Sequence, residues 1–374
     1  MVRGLLLAAG VVSMADASAQ SRWMYSLSVP AELEYDSNPS MSPGDSAGST
    51  FWLRLTPSLV TKYVLGNEEF TLETALSAEK SSNQRAAQDR LDPRLRAAWK
   101  HVDPLNTTEV AALLERSAFR DLDVRRQVPL GADASRTLFA LTGNWTRDID
   151  ARTAFNADVR QEWERSTGTV SPDFQRTTAA GRIKRAHDER TSWYVGLNGQ
   201  DYRPEDAPGP AGAPAGALRS TVAGALVGLE RAFSEALRFD VSAGPVRFTR
   251  PQSRNDWQAA ATVEYTMPRW QAGVDVLRAP GVNSTGGGLV VTEELRMRVR
   301  YDLDPRSRLE VDAGAAREKA AGSNRTLASI SWVRQLDPAW QVAVKGSTQR
   351  QEGPGGVARS NRIGVMLVYS APDL

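Results

Sequence analysis

Apolar and polar residues alternate with period two along most of this chain, over stretches of about ten to thirteen residues, and one kind of turn returns between the stretches. In segment 257–267 one face takes Trp257, Ala259, Ala261, Val263, Tyr265 and Met267, and the other takes Gln258, Ala260, Thr262 and Glu264. Segment 294–303 sets Leu295, Met297, Val299, Tyr301 and Leu303 against Glu294, Arg296, Arg298, Arg300 and Asp302. Such alternation predicts strands whose two faces meet different surroundings. The apolar faces carry aromatics near their ends and small aliphatics between, as a strand crossing two interfaces and an acyl layer would. The charged faces cannot meet that layer, where an Arg near the midplane costs about 2 to 4 kcal/mol. They must line water or a partner's charge.

The turn has its clearest copies at Asp103-Pro104, Asp304-Pro305 and Asp337-Pro338, with others at Gly66-Asn67, Asp150-Ala151, Asp188-Glu189, Ser234-Glu235 and Pro268-Arg269. Short turns on one side and longer loops on the other predict a transmembrane antiparallel up-and-down β-barrel. Eight turns join sixteen strands, and one strand at each end, 23–35 and 361–370, brings the expected number to 18. Sixteen is the alternative if the strand after Met267 or the Pro-bearing first strand is misread. A barrel of either size encloses an aqueous channel rather than a side-chain core.

The N-terminus supports an export route. Arg3 supplies a charge, Gly4 to Val12 an apolar stretch too short to span a bilayer, and Ala17-Ser18-Ala19 an A-x-A cleavage site. Residues 1–19 are therefore expected to be a cleaved signal peptide and 20–374 a single outer-membrane barrel domain. Cleavage removes Arg3 and Asp16 and leaves the net charge at +2. The chain has no Cys, so neither a lipid anchor on cysteine nor a disulfide can form. Mean hydropathy is −0.40, which by itself would suggest a soluble protein. Only the period-two pattern carries the membrane reading.

Of the ten Trp residues, Trp23, Trp99, Trp145, Trp193, Trp270 and Trp340 lie close to the short turns or the mature start, forming one aromatic girdle on the periplasmic side. A soluble β-sandwich also alternates, but its inner faces would be apolar and its strands shorter. Polar segments at 36–50, 80–90, 119–134, 164–174, 203–218 and 351–360 are expected to be the long loops.

Catalysis is not expected. The two histidines, His101 and His187, stand beside short turns, away from the loop end where an outer-membrane hydrolase would work, and a Cys nucleophile is absent. Neither a cofactor nor a metal site is expected, since two His and no Cys exclude an ordinary zinc site and loop 36–50 lacks calcium-loop spacing. The chemistry is expected in the lumen, where parity places Arg94, Arg96, Arg152, Asp158, Arg160, Glu162, Arg182, Lys184, Glu294, Arg296, Arg298, Arg300, Asp302, Arg308, Glu310 and Asp312. Such charges either pair across strands and keep the wall rigid and wet, or set up a field that selects anionic solutes. The row Arg296, Arg298, Arg300 favours selection. Tyr194, Tyr202 and Trp52 also point inward and are candidates for stacking on sugars.

One segment resembles a known family. Glu34-Tyr35-Asp36-Ser37-Asn38-Pro39, followed after a polar loop by Leu53-Arg54-Leu55-Thr56-Pro57-Ser58-Leu59, resembles the start of the EpsL-like, exopolysaccharide-associated outer-membrane barrels and related porin-type families. In that pattern a first strand ends in Tyr-Asp-x-Asn and a second in Pro-x-Leu. The resemblance implies a conduit for exopolysaccharide export, with polysaccharide and periplasmic export components as partners. The alternatives are a general or anion-preferring diffusion porin, and a non-conducting structural or adhesive barrel that acts through its loops. Outer-membrane lipids, lipopolysaccharide and the outer-membrane insertion machinery would be partners under any of these readings; a nucleic acid would not.

Overall fold

In the computed structural model the described residues are 21–41, 43, 48–118, 134–167, 173–205, 219–250, 252–283, 288–318, 322–353 and 356–372. The expected signal peptide, residues 1–19, lies outside them. The strands are β1 (Arg22–Asp36), β2 (Thr50–Leu55), β3 (Ser58–Leu65), β4 (Glu68–Ser81), β5 (Arg90–Val102), β6 (Asn106–Ala118) and β7 (Ser135–Asp150). They continue with β8 (Thr153–Thr167), β9 (Phe174–Ala186), β10 (Thr191–Pro204), β11 (Ser220–Ala232), β12 (Leu237–Arg250) and β13 (Arg254–Met267). The last six are β14 (Trp270–Val282), β15 (Leu289–Asp304), β16 (Ser307–Glu318), β17 (Ser323–Gln335), β18 (Trp340–Gly353) and β19 (Gly356–Pro372).

From β4 to β19 each strand pairs antiparallel with its sequence neighbours, and β1 pairs with β19 from Ser26↔Pro372 to Asp36↔Arg362, which closes the barrel. β2 and β3 are two halves of one crossing, since both pair with β1 on one side and β4 on the other. The wall therefore has 18 crossings. The interruption falls at Thr56-Pro57, where the proline nitrogen has no hydrogen to donate. The ladder is still carried across it, by Thr56 N–H to the Pro30 carbonyl at 2.9 Å and Leu76 N–H to the Pro57 carbonyl at 3.1 Å. Pro57-Ser58-Leu59 thus does not end a strand, as the family pattern implied, but kinks one.

All eight expected turns occur, on one rim, and most share one device. The Asp103 carboxylate accepts the backbone N–H groups of Leu105 (3.0 Å) and Asn106 (2.9 Å), and Asp337 those of Ala339 (2.8 Å) and Trp340 (2.9 Å). Asp150, Asp188 and Asp304 each cap the N–H two residues on, at 2.7–2.8 Å, and Ser234 does the same with its hydroxyl at 3.2 Å. These are Asx and Ser turns, with proline favoured next because it presets φ for the following position. On the opposite rim two expectations change. β19 starts at Gly356 instead of 361, and segment 351–360 is largely strand, because β18 and β19 keep pairing out to Gly353↔Gly356.

The outer face is the apolar one. Trp23, Trp145, Trp193, Trp270 and Trp340 are 39–55% exposed. On the turn side Trp23 meets Tyr63 at 4.6 Å, Trp270 meets Tyr301 at 4.3 Å, Trp340 meets Tyr369 at 5.1 Å and Trp145 meets Phe155 at 5.5 Å. Trp99 joins this belt and donates Nε1–H to Glu68 at 2.5 Å. A second belt runs near the loop side through Tyr35–Phe51 at 5.1 Å and Phe139–Trp163 at 5.2 Å. Two aromatic girdles around an apolar band are what a wall spanning a bilayer presents.

Candidate functional site: the charged lumen

The inward face changes character along the barrel axis. Near the loops its charges are buried in ion pairs: Asp36–Arg362 (3.0 Å), Glu79–Arg54 (2.5 Å), Asp92–Arg90 (2.9 Å), Glu164–Arg136 (3.3 Å) and Glu318–Arg325 (3.5 Å). Glu162, 1% exposed, is held between Arg160 (2.7 Å) and Arg176. Of this loop-side ring, inward parity in the sequence picks out Glu162, Arg160 and Arg362 as lumen residues. The others fall at inward parity near strand ends, so parity extended to the loop margins finds them. Their burial does not follow from parity, which fixes the face a side chain takes and not how far it is covered.

Toward the turns the same face opens. Arg296 pairs with the buried Glu294, Arg298 with Asp275 at 2.8 Å, and Arg300 with Asp302 at 3.2 Å. The Arg298 side chain is nevertheless 64% exposed, against 3% for Glu294, so its charge is presented to the lumen and not enclosed. Asp312 and Glu310 face Arg298 and Arg300 across the β15–β16 register. With Glu264 and Gln271, these four line a recess of about 430 Å³. It shares Arg300 with a recess of about 440 Å³ that includes Asp302, Arg308 and Gln335, and Glu264 with one of about 490 Å³ that includes Arg182, Lys184, Arg238 and Asp240. A band of water-accessible charge thus follows the inner wall from β9 to β18.

Most other expected lumen residues are paired. Arg96 bridges Glu73 (2.9 Å) and Glu109 (3.2 Å), Arg308 meets Glu310 at 2.7 Å, Lys184 meets Glu230, and Arg94 stands 3.7 Å from Glu115. Asp158 is exposed in the lumen. Arg182 donates Nε–H to Asn156 at 3.3 Å and lies over the Tyr194 ring at 5.5 Å. Arg182 and Arg238 form no ion pair among the described residues. Arg152 differs from expectation: it sits in the turn between β7 and β8, where its N–H is capped by Asp150, and so stands at the rim and not on the wall.

The three inward aromatics are not free faces. Trp52 is 1%, Tyr194 5% and Tyr202 0% exposed. Tyr194 lies flat over Gly228, where an added Cβ would come within 2.2 Å of the ring, and donates its hydroxyl to Asp240 at 2.8 Å. Tyr202 packs on Phe174 at 5.0 Å within a buried apolar cluster. None can stack on a passing sugar.

No protein-family model and no curated protein sequence matches the chain. In fold it is similar to outer-membrane porins. OccK9 (OpdG) of Pseudomonas aeruginosa superposes with a TM-score of 0.53 at 12% identity, covering 94% of this chain and 98% of that one. OccAB4 of Acinetobacter baumannii gives 0.52 at 9%, covering 95% and 99%. OccK2 (OpdF) of P. aeruginosa, solved in complex with glucuronate, gives 0.52 at 11%, covering 94% and 98%. Together with the girdled apolar exterior, this fold defines the class: an 18-stranded, porin-like barrel of the bacterial outer membrane. The exopolysaccharide association implied by the 34–59 segment gains no support from these neighbours.

Proposed function

We propose that the protein is a diffusion porin that favours small anionic solutes. The observation that carries this reading is the exposed Arg298 guanidinium between Arg296 and Arg300, on a wall where Arg182 and Arg238 add positive charge without a carboxylate partner among the described residues. Lumen cations at close range concentrate anions and lower their entry barrier. The similar fold of a barrel solved with glucuronate, a carboxylate, fits the same chemistry. An export conduit for long sugar chains is less well served, since Tyr194, Tyr202 and Trp52 are buried. No catalytic role is part of the proposal: His101, bonded to Glu68 at 2.6 Å, stands at the turn rim.

The test is ion selectivity of the refolded protein in a planar bilayer under a salt gradient. Wild type is expected to conduct with a reversal potential on the anion side. Changing Arg296, Arg298 and Arg300 together to Gln should cut the anion-to-cation permeability ratio several-fold with little change in pore size. A folded, conducting protein whose selectivity ignores the triple change would refute the assignment to β15.

A further inference from the structure

We propose that the outer wall around β9–β11 holds one anionic phospholipid of the turn-side leaflet, with an acyl chain in a cleft and its phosphate between Arg185 and Arg231. The cleft, about 650 Å³, opens on the lipid-facing side. Its floor is Gly181, Ala225 and Ala243, and its walls include Ile183, Leu197 and Val227. Leu197 and Val227 are 69% and 63% exposed, so a furrow is left between projecting side chains.

A break in the ladder accompanies the furrow. Pro245 of β12 stands opposite Ala225 of β11 and has no N–H, and the β11–β12 register omits both Ala225 and Leu226. The freed Ala225 carbonyl turns to the inner side, where it accepts Gln258 Nε2–H at 3.2 Å and occupies the space a Cβ on Gly244 would fill, at 1.9 Å. The backbone polarity thus goes to the lumen, and the outside keeps an uninterrupted apolar floor.

Charge at one end of the furrow selects its occupant. Toward the turns the next outward residue after Ile183 is Arg185, cross-strand from Trp193, and Arg231 follows Leu229 on β11. Both arginines are exposed and face outward, and neither forms an ion pair among the described residues. Arg231 lies over the Phe233 ring at 5.2 Å, and the charge of Arg185 is felt by Asp150 in the neighbouring turn. Two arginines and a tryptophan at headgroup depth above an apolar furrow fit a phosphate with a chain attached. The two arginines call for an anion joined to an apolar chain, and one anionic phospholipid supplies both in a single molecule, so the lipid is preferred to a second copy of this chain.

The test is native mass spectrometry of the refolded full-length barrel titrated with phosphatidylglycerol, phosphatidylcholine and glycerol phosphate. Wild type should hold one phosphatidylglycerol more tightly than phosphatidylcholine and retain no glycerol phosphate. Arg185→Gln and Arg231→Gln should each weaken it roughly fivefold, while Arg334→Gln, an outward arginine on distant β17, should not. Gly181→Leu fills the cleft, and an added Cβ there meets nothing closer than 3.8 Å, so the barrel should fold yet lose the lipid. Equal retention of both phospholipids, insensitivity to Gly181→Leu, binding of glycerol phosphate alone, or a dimer or trimer that Gly181→Leu dissociates would each overturn the proposal. Conductance serves as a separate readout, because these positions face away from the lumen and should leave selectivity unchanged.

Discussion

Single side chains decide where this wall is firm and where it is responsive. In the turns, backbone N–H donation from Leu105 to Asp103 and from Arg190 to Asp188 holds both carboxyls below the ordinary carboxylate range. Because the folded value is depressed, the stabilisation is present above the unfolded pKa of about 3.9 and is lost as pH falls through the folded value. Hydrogen-exchange protection of the Leu105 and Arg190 amides, corrected for intrinsic rates, should therefore fall in acid below about pH 4. Asp103→Asn and Asp188→Asn, which keep an acceptor oxygen, should flatten that response; protection that never changes down to pH 2.5 would argue against the caps. Within the lumen, Glu162→Gln leaves Arg160 and Arg176 without their carboxylate. Removing one partner of a buried pair costs about 3 to 5 kcal/mol, so a lower unfolding midpoint is expected. In protein that still folds, anion preference should increase, read as a larger reversal potential.

At the scale of strands, the period-two pattern and the turns disclosed most of the architecture, because one face must suit lipid and the other water. That is why Leu295 to Leu303 and Arg296 to Arg300 separate as parity requires. The pattern does not show what happens when a ladder loses a donor. Pro57 kinks a crossing, and Pro245 turns a carbonyl into the lumen, and neither outcome follows from alternation alone. Nor does it show depth: Arg152 shares the parity of wall residues but lies one step past the strand, and Tyr194 is inward yet covered. Ion-pair partners such as Arg54–Glu79 depend on cross-strand register, which alternation alone leaves open. The Pro245 break carries its own prediction. Gly244→Ala places a Cβ at 1.9 Å from the Ala225 oxygen, whereas Gly273→Ala meets nothing nearer than 3.9 Å. The first should cost about 1 to 3 kcal/mol in overpacking and deplete the heat-modifiable folded band on a gel; the second should behave as wild type.

For the molecule as a whole, the ring is joined at a seam between its first and last strands, where Asp36, fully buried, meets Ser360 Oγ at 2.5 Å and Arg362 at 3.0 Å. The Asp36–Ser360 contact links residues 324 positions apart, so no shorter piece of chain can form it. Until β19 arrives, β1 and whichever strand has last been added are both open edges, each a template for pairing with any other strand in reach. Assembly of the sheet is thus a race between addition of neighbouring hairpins, which is local, and one long-range encounter, whose loop-closure entropy rises only slowly with length. Asp36→Ala should slow that last step more than the earlier ones, so strand signal by circular dichroism would outpace the appearance of the closed, heat-modifiable form. The seam that seals the pore is also the place where an unfinished barrel would hand its edge to a chaperone, or to another unfinished copy of itself.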